Sequence, residues 1–110
     1  MVATEEDPIA EETDVVTFIA LLYFTEQGIR GIKDSPHRAD QFNEMAERAG
    51  ARVVAQYWTI GSHDGVLIIE APNDEVAASI LLSLGAAGNV RTTTLRAFEW
   101  ADAQGLIEGR

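Results

Sequence analysis

The 110-residue sequence contains no cysteine. That excludes disulfides, thiol catalysis and cysteine-rich metal sites, and it suits a reducing compartment. Basic residues are scarce: eight lysines and arginines against eighteen acids leave a net charge of −10. Such a field repels phosphate backbones and anionic lipid, so neither nucleic acid nor a membrane surface is an expected partner. Apolar runs are short, the longest about ten residues, where a bilayer span needs about 20. The chain opens on Glu5, Glu6 and Asp7 rather than on a basic stretch followed by an apolar one. No signal peptide is read there, and the expected location is the cytoplasm. Histidine occurs only at His37 and His63, in different segments and without a ligand spacing, so no metal is expected. There is no Gly-rich nucleotide motif, since Gly85-Ala86-Ala87-Gly88 follows a helical pattern rather than opening one, and no cofactor is implied.

What is present is a core-forming chain, 46% hydrophobic and 24% charged, of single-domain length. Six of the eighteen acids lie in residues 1–14, which hold no base, contain Pro8 and show no period; this segment reads as a disordered acidic tail or, alternatively, an acidic docking segment. Val15–Phe24 (VVTFIALLYF) follows. Phe18, Leu22 and Phe24 fall on one face of a strand and Val15, Ile19 and Leu21 on the other, so the strand is expected to be buried on both faces. Residues 25–36 form a connection in which Thr25 caps a short turn and Ile29 and Ile32 face inward. Ser35 and Pro36 start a helix, with Ser35 as N-cap and Pro36 first in the helix; Phe42, Met45 and Ala46 recur at helical spacing, and Gly50 stops it.

A second strand runs from about Arg52 to Ile60. Turn chemistry at residues 61–65 joins it to a third strand, Val66–Ile69, again apolar on both faces, so the two read as a hairpin. Asn73 or Asp74 caps a second helix with a stripe of Val76, Ala77, Ile80, Leu81 and Leu84. Strand four covers Val90–Phe98, and residues 99–110 form a C-terminal helical extension. The order β-α-β-β-α-β is the ferredoxin-like, split-βαβ pattern of the α+β class, in which strands 1 and 3 are central. The two helices cover one sheet face. The other is still apolar, and a monomer would leave it wet, so a homodimer or a higher multiple is expected, sheet facing sheet as a dimeric α+β barrel.

The stretches TEQGIRGIKDSPHR (Thr25–Arg38), YWTIGSHD (Tyr57–Asp64), IIEAPNDE (Ile68–Glu75) and GNVRTTTLRAF (Gly88–Phe98) resemble the GYD-domain family, collinearly over about residues 16–98. The resemblance implies a ferredoxin-like domain of the dimeric α+β barrel group and brings no established activity. The family's Gly-x-Tyr-Asp stretch falls here on Gly61-Ser62-His63-Asp64, with His63 where tyrosine is usual. A role resting on the phenol is therefore not carried over.

Three groups of residues are candidates for chemistry. In His63-Asp64 a carboxylate would orient and charge an imidazole, making these the candidate catalytic pair; neighbouring strand residues point to opposite faces, however, and an Asp in such a turn also serves the backbone. Arg30, Lys33, His37 and Arg38 cluster around the helix start at Ser35 and would together hold a carboxylate or phosphate; a solvated connection explains them as well. Tyr57 and Trp58 should lie on opposite faces, either bounding a pocket or packing in a core or dimer. The expected pocket lies where residues 25–36 meet the His63-Asp64 end of the hairpin, with Thr25, Gln27, Lys33, Ser35, Arg38, Tyr57 and Trp58 as ligand-binding residues. The expected function is a small oligomeric protein binding a small, anionic molecule. The alternative, by analogy with other dimeric α+β barrels, is a cofactor-independent enzyme of monooxygenase or isomerase type.

Overall fold

The computed structural model describes residues 15–109; the acidic segment 1–14, expected to be a disordered tail, lies outside the described residues. The elements are β1 (Val16–Phe24), α1 (Glu26–Arg30), a 3₁₀ turn (Ile32–Asp34), α2 (Ser35–Arg48), β2 (Arg52–Trp58), β3 (Gly65–Ala71), α3 (Asp74–Ala86), β4 (Val90–Ala97) and α4 (Trp100–Glu108). The four strands form one antiparallel sheet in the order β2-β3-β1-β4. This is the ferredoxin-like α+β arrangement expected from the sequence, with the two doubly apolar strands in the middle.

Register decides which side chains meet. Ala20 lies opposite Leu67, and Phe18 opposite Ile69. These positions face α2 and α3, where Ala20, Leu67, Ile69 and Ala71 close a core with Phe42, Ala46, Ala77 and Ile80. Burial of Phe42, Leu67, Ile69 and Ile80 contributes about 1.5–3 kcal/mol each, and that of the alanines less. On the opposite face Ile19 pairs with Ile68 and Leu95, and Leu21 with Val66 and Thr93. No element of the described residues is laid over that side. The chain supplies one cover for a sheet that is apolar on both faces.

The edge strands differ. β4 is regular along β1, whereas β2 carries a bulge between Val53 and Ala55. Past the bulge the alternation is reset, because an extra residue in one strand turns every later side chain over. Val53, before the bulge, pairs with Ile69 on the helix side; past it Gln56 and Trp58 pair with Leu67 and Gly65 on that same side, and Tyr57 with Val66 on the open side.

Two local expectations are corrected. Ile29 and Ile32 do not face inward: they are 52% and 38% exposed, and the buried residue of α1 is Gly28. The turn approaches the loop before β4 so closely that a Cβ on Gly28 would stand 1.9 Å from the Asn89 carbonyl oxygen, which leaves no room for the isoleucines on that side. Ser35 is not an N-cap. Its backbone is already helical (φ −57°, ψ −43°), Asp34 precedes the helix without a side-chain cap, and the Ser35 hydroxyl serves a partner described below. Elsewhere the capping chemistry stands: Thr25 accepts from the Gly28 N–H, and Asn73 from the Val76 N–H. Gly50, at φ 89°, follows α2 in the left-handed conformation that ends helices.

Candidate functional site

A cleft of about 240 Å³ opens between α2, α3 and the helix side of the sheet, at the end where β1 and β2 finish and β3 and β4 begin. Its walls are mostly apolar: Leu22 and Phe24 from β1, Phe42 and Met45 from α2, Leu67 from β3, Leu84 from α3 and Val90 from β4. Ser35, Arg38, Gln41, Gln56, Trp58, Asp64, Ser83 and Asn89 bring polar atoms to it.

Trp58 stands at the edge of the sheet, half exposed, and its indole N–H donates to the Ser35 hydroxyl at 2.9 Å. Ser35 is the one buried polar residue among those described, and the bond ties the end of β2 to the first turn of α2. Arg38 reaches back over α1: Nη1 donates to the Gly31 carbonyl at 2.9 Å and Nη2 to the Gly28 carbonyl at 3.5 Å. The guanidinium adds a side-chain donor at the C-terminal end of the short helix, where the Gly31 carbonyl also accepts the Asp34 N–H at 2.9 Å. Asp64 accepts the Phe24 N–H on Oδ2 at 2.8 Å, and its own N–H donates to the Leu22 carbonyl at 2.8 Å. It extends the β1–β3 pairing by one more rung, made with a side chain.

The sequence-derived site residues are thus partly gathered. Tyr57 borders the cleft, although its pairing with Val66 turns its side chain to the open side; Ser35, Arg38, Trp58 and Asp64 line it. Thr25 and Gln27 do not; they lock the connection to the loop before β4. The Thr25 hydroxyl donates to the Gly88 carbonyl at 2.6 Å, and the Gln27 amide donates to the Ala87 carbonyl and the Asn89 side chain at 3.1 and 3.0 Å. Lys33 and His37 are exposed. Arg30 forms an exposed pair with Glu26 at 3.7 Å. The four basic residues around Ser35 are therefore not gathered into one site. His63 lies away from the cleft: its ring is 4.8 Å from that of Tyr23, an open-face residue, and its Nδ1 is 2.9 Å from the Ser62 hydroxyl. The Asp64 carboxylate is engaged by the Phe24 N–H rather than by the imidazole.

Gln41 and Gln56 were not singled out from sequence. Gln56 did carry a signal, as a polar residue inside an apolar strand, but it reads as the mark of an edge until the bulge puts it opposite Leu67. Among the described residues no three His, Asp or Glu side chains are placed to hold a metal ion, and no helix is long and apolar enough to cross a membrane.

The sheet order and the single helical layer define a ferredoxin-like α+β domain. Two solved structures share the fold: an AsnC family transcriptional regulator from Agrobacterium tumefaciens (TM-score 0.61, 18% identity, 88% of this chain) and MtbAldR (TM-score 0.55, 20% identity, 84% of this chain). The chain spans 65% and 58% of those two proteins, and at such identities the likeness speaks for the fold alone. Within that class the chain belongs to the GYD domain family, whose model matches residues 18–107, through α4. A relative from Thermus thermophilus, described as a glutamine synthetase and cystathionine beta-lyase binding protein, is 39% identical over 87 residues, covering 78% of this chain and 92% of the relative.

Proposed function

We propose that this chain is a small oligomeric binding module that works by recognition rather than catalysis. It holds a small molecule in the cleft beside α2, pairs through its open sheet face with a second copy, and docks on a metabolic enzyme. One observation carries this reading. The ionisable groups that reach the cleft are tied to backbone: Arg38 to the Gly31 and Gly28 carbonyls and Asp64 to the Phe24 N–H, while His63 lies on the far side of the sheet. A proton-transfer catalyst needs a group free to exchange with a substrate atom within hydrogen-bond reach. A binding site needs a shaped apolar wall with a few polar contacts, which is the composition of this cleft.

The second copy is supported by Ile19, Leu21, Val66, Ile68 and Leu95, which share one uncovered face. The enzyme partner is supported by the description of the Thermus relative, which makes glutamine synthetase the first candidate. The test is to immobilise the full chain and pass purified glutamine synthetase and cystathionine beta-lyase from the same organism over it. Saturable binding of either at micromolar concentration or below is the expected result. No binding at tens of micromolar, an affinity worth less than about 7 kcal/mol, defeats the enzyme-docking part. Turnover of a small molecule that is lost on His63→Ala defeats the reading as a whole.

A further inference from the structure

We infer that the cleft takes a small uncharged molecule, with an aromatic or branched aliphatic body and a carboxamide-like head, and that it discriminates against anions. This rests on the proposal above that the cleft is a binding site, and it names the ligand class. It also reverses the charge expected from the basic residues around Ser35.

The two charges on the wall do not suit an anion. Arg38 donates to two backbone carbonyls, which hold its guanidinium against the connection and take up two of its five N–H donors, so less of it is available to an anion. Asp64 is acidic and faces the same space, with Oδ2 already held by the Phe24 N–H. An incoming carboxylate would meet a like charge against apolar walls, where repulsion is screened less than in water. The whole chain adds a net −10 to that barrier.

The polar groups left open are of another kind. Gln41 and Gln56 line the cleft, and neither side chain makes a hydrogen bond among the described residues. Each carboxamide offers both donors and an acceptor, so it pairs reciprocally with another amide, whereas a carboxylate uses only the donors. Gln56 comes from β2 opposite Leu67, and Gln41 from α2, so a ligand would be gripped from sheet and helix at once. The body of the ligand meets Phe24, Met45 and Leu84. At about 240 Å³ the space lies below the roughly 300–1,000 Å³ of sites for drug-sized ligands, which points to a molecule of about ten non-hydrogen atoms.

Phenylacetamide and phenylacetate share one body and differ in the charge of the head. Each is titrated at pH 7.5 into the full chain carrying Trp100→Phe, which leaves Trp58 at the mouth of the cleft as the reporting tryptophan. Saturable change with phenylacetamide, and at least tenfold weaker binding of phenylacetate, is the expected result. Gln56→Leu should weaken phenylacetamide about tenfold and narrow the gap between the two ligands. Ala39→Phe, which fills the space from α2, should weaken both at least tenfold while the chain stays folded by circular dichroism. Equal or tighter binding of phenylacetate overturns the inference and leaves the cleft standing as an anion site. Saturable binding untouched by Ala39→Phe and Gln56→Leu in folded protein places the ligand elsewhere and overturns it too. If neither compound binds at the limit of solubility, the reading of the cleft as a binding site falls with it.

Discussion

On the helix side of the sheet Ala20, Leu67 and Ile69 are at most 1% exposed; on the other side, one residue along the same strands, Ile19, Leu21, Val66 and Ile68 are only half-buried. Both sides carry large aliphatic side chains along the central strands, although Thr17 and Glu70 fall on the second, and what differs most is the cover. α2 and α3 close the first, with Phe42, Ala46 and Ile80 reaching the sheet. Nothing in the described chain closes the second. A hydrophobic face therefore states that a cover is needed without stating whose it is, because transfer from water depends on the area removed and not on the source of the atoms that remove it.

The largest expected effect separates the two sides by assembly. Leu21→Glu puts a charge in the middle of the open face and should abolish the oligomer, leaving a 12 kDa species or insoluble protein by light scattering behind gel filtration. Wild type running as a clean monomer would break the comparison outright. Leu67→Ala, on the covered face, should instead lower stability by about 2–5 kcal/mol in urea denaturation and leave the assembly state unchanged in the folded fraction.

Gly28→Ala tests how tightly the covered side is closed at the cleft end. The added Cβ would meet the Asn89 carbonyl oxygen at 1.9 Å, a backbone atom that cannot simply swing aside. A loss of about 1–3 kcal/mol is expected, read as a melting temperature lower by roughly 4–8 °C per kcal/mol. An unchanged melting temperature would mean that the connection and the loop before β4 are not locked together. Asp64→Ala removes the acceptor for the half-buried Phe24 N–H and should cost about 1–2 kcal/mol. Its amide proton should then exchange faster with solvent, and unaltered protection at Phe24 would contradict the bond. Arg30→Ala, which removes only the exposed pair with Glu26, should change stability by at most about 0.5 kcal/mol, within the scatter of a thermal melt.

Much of the architecture was legible in the residues, and much of the candidate site was not. The nearly continuous apolar character of Val15–Phe24, broken only by Thr17, and of Val66–Ile69 marked the two central strands, and the mixed character of β2 and β4 marked the edges. The Asn73 cap and the glycine after α2 are local chemistry and were read as local chemistry. The burial of Gly28 in place of Ile29 and Ile32 was not legible, because it depends on Asn89, a residue some sixty positions away. Nor was the role Ser35 takes in place of a cap. Ser-Pro before an apolar stripe is good cap chemistry, but the Trp58 indole needs an acceptor and the folded chain brings that hydroxyl to it.

The sequence by itself determined the antiparallel four-stranded sheet, its strand order, the two helices laid on one side and the apolar character of both faces. These follow from periodicity, turn residues and the handedness of βαβ crossovers, which act within a few tens of residues. Only the tertiary structure decided where the polar groups of the cleft point. The bulge in β2 turned Gln56 and Trp58 toward the helices. Close approach of the connection to residues 87–89 engaged Thr25 and Gln27, and the hairpin brought Asp64 to the end of β1. Hydrogen bonds form wherever a donor and an acceptor arrive together, and in this chain those arrivals were set by the packing of segments far apart in sequence.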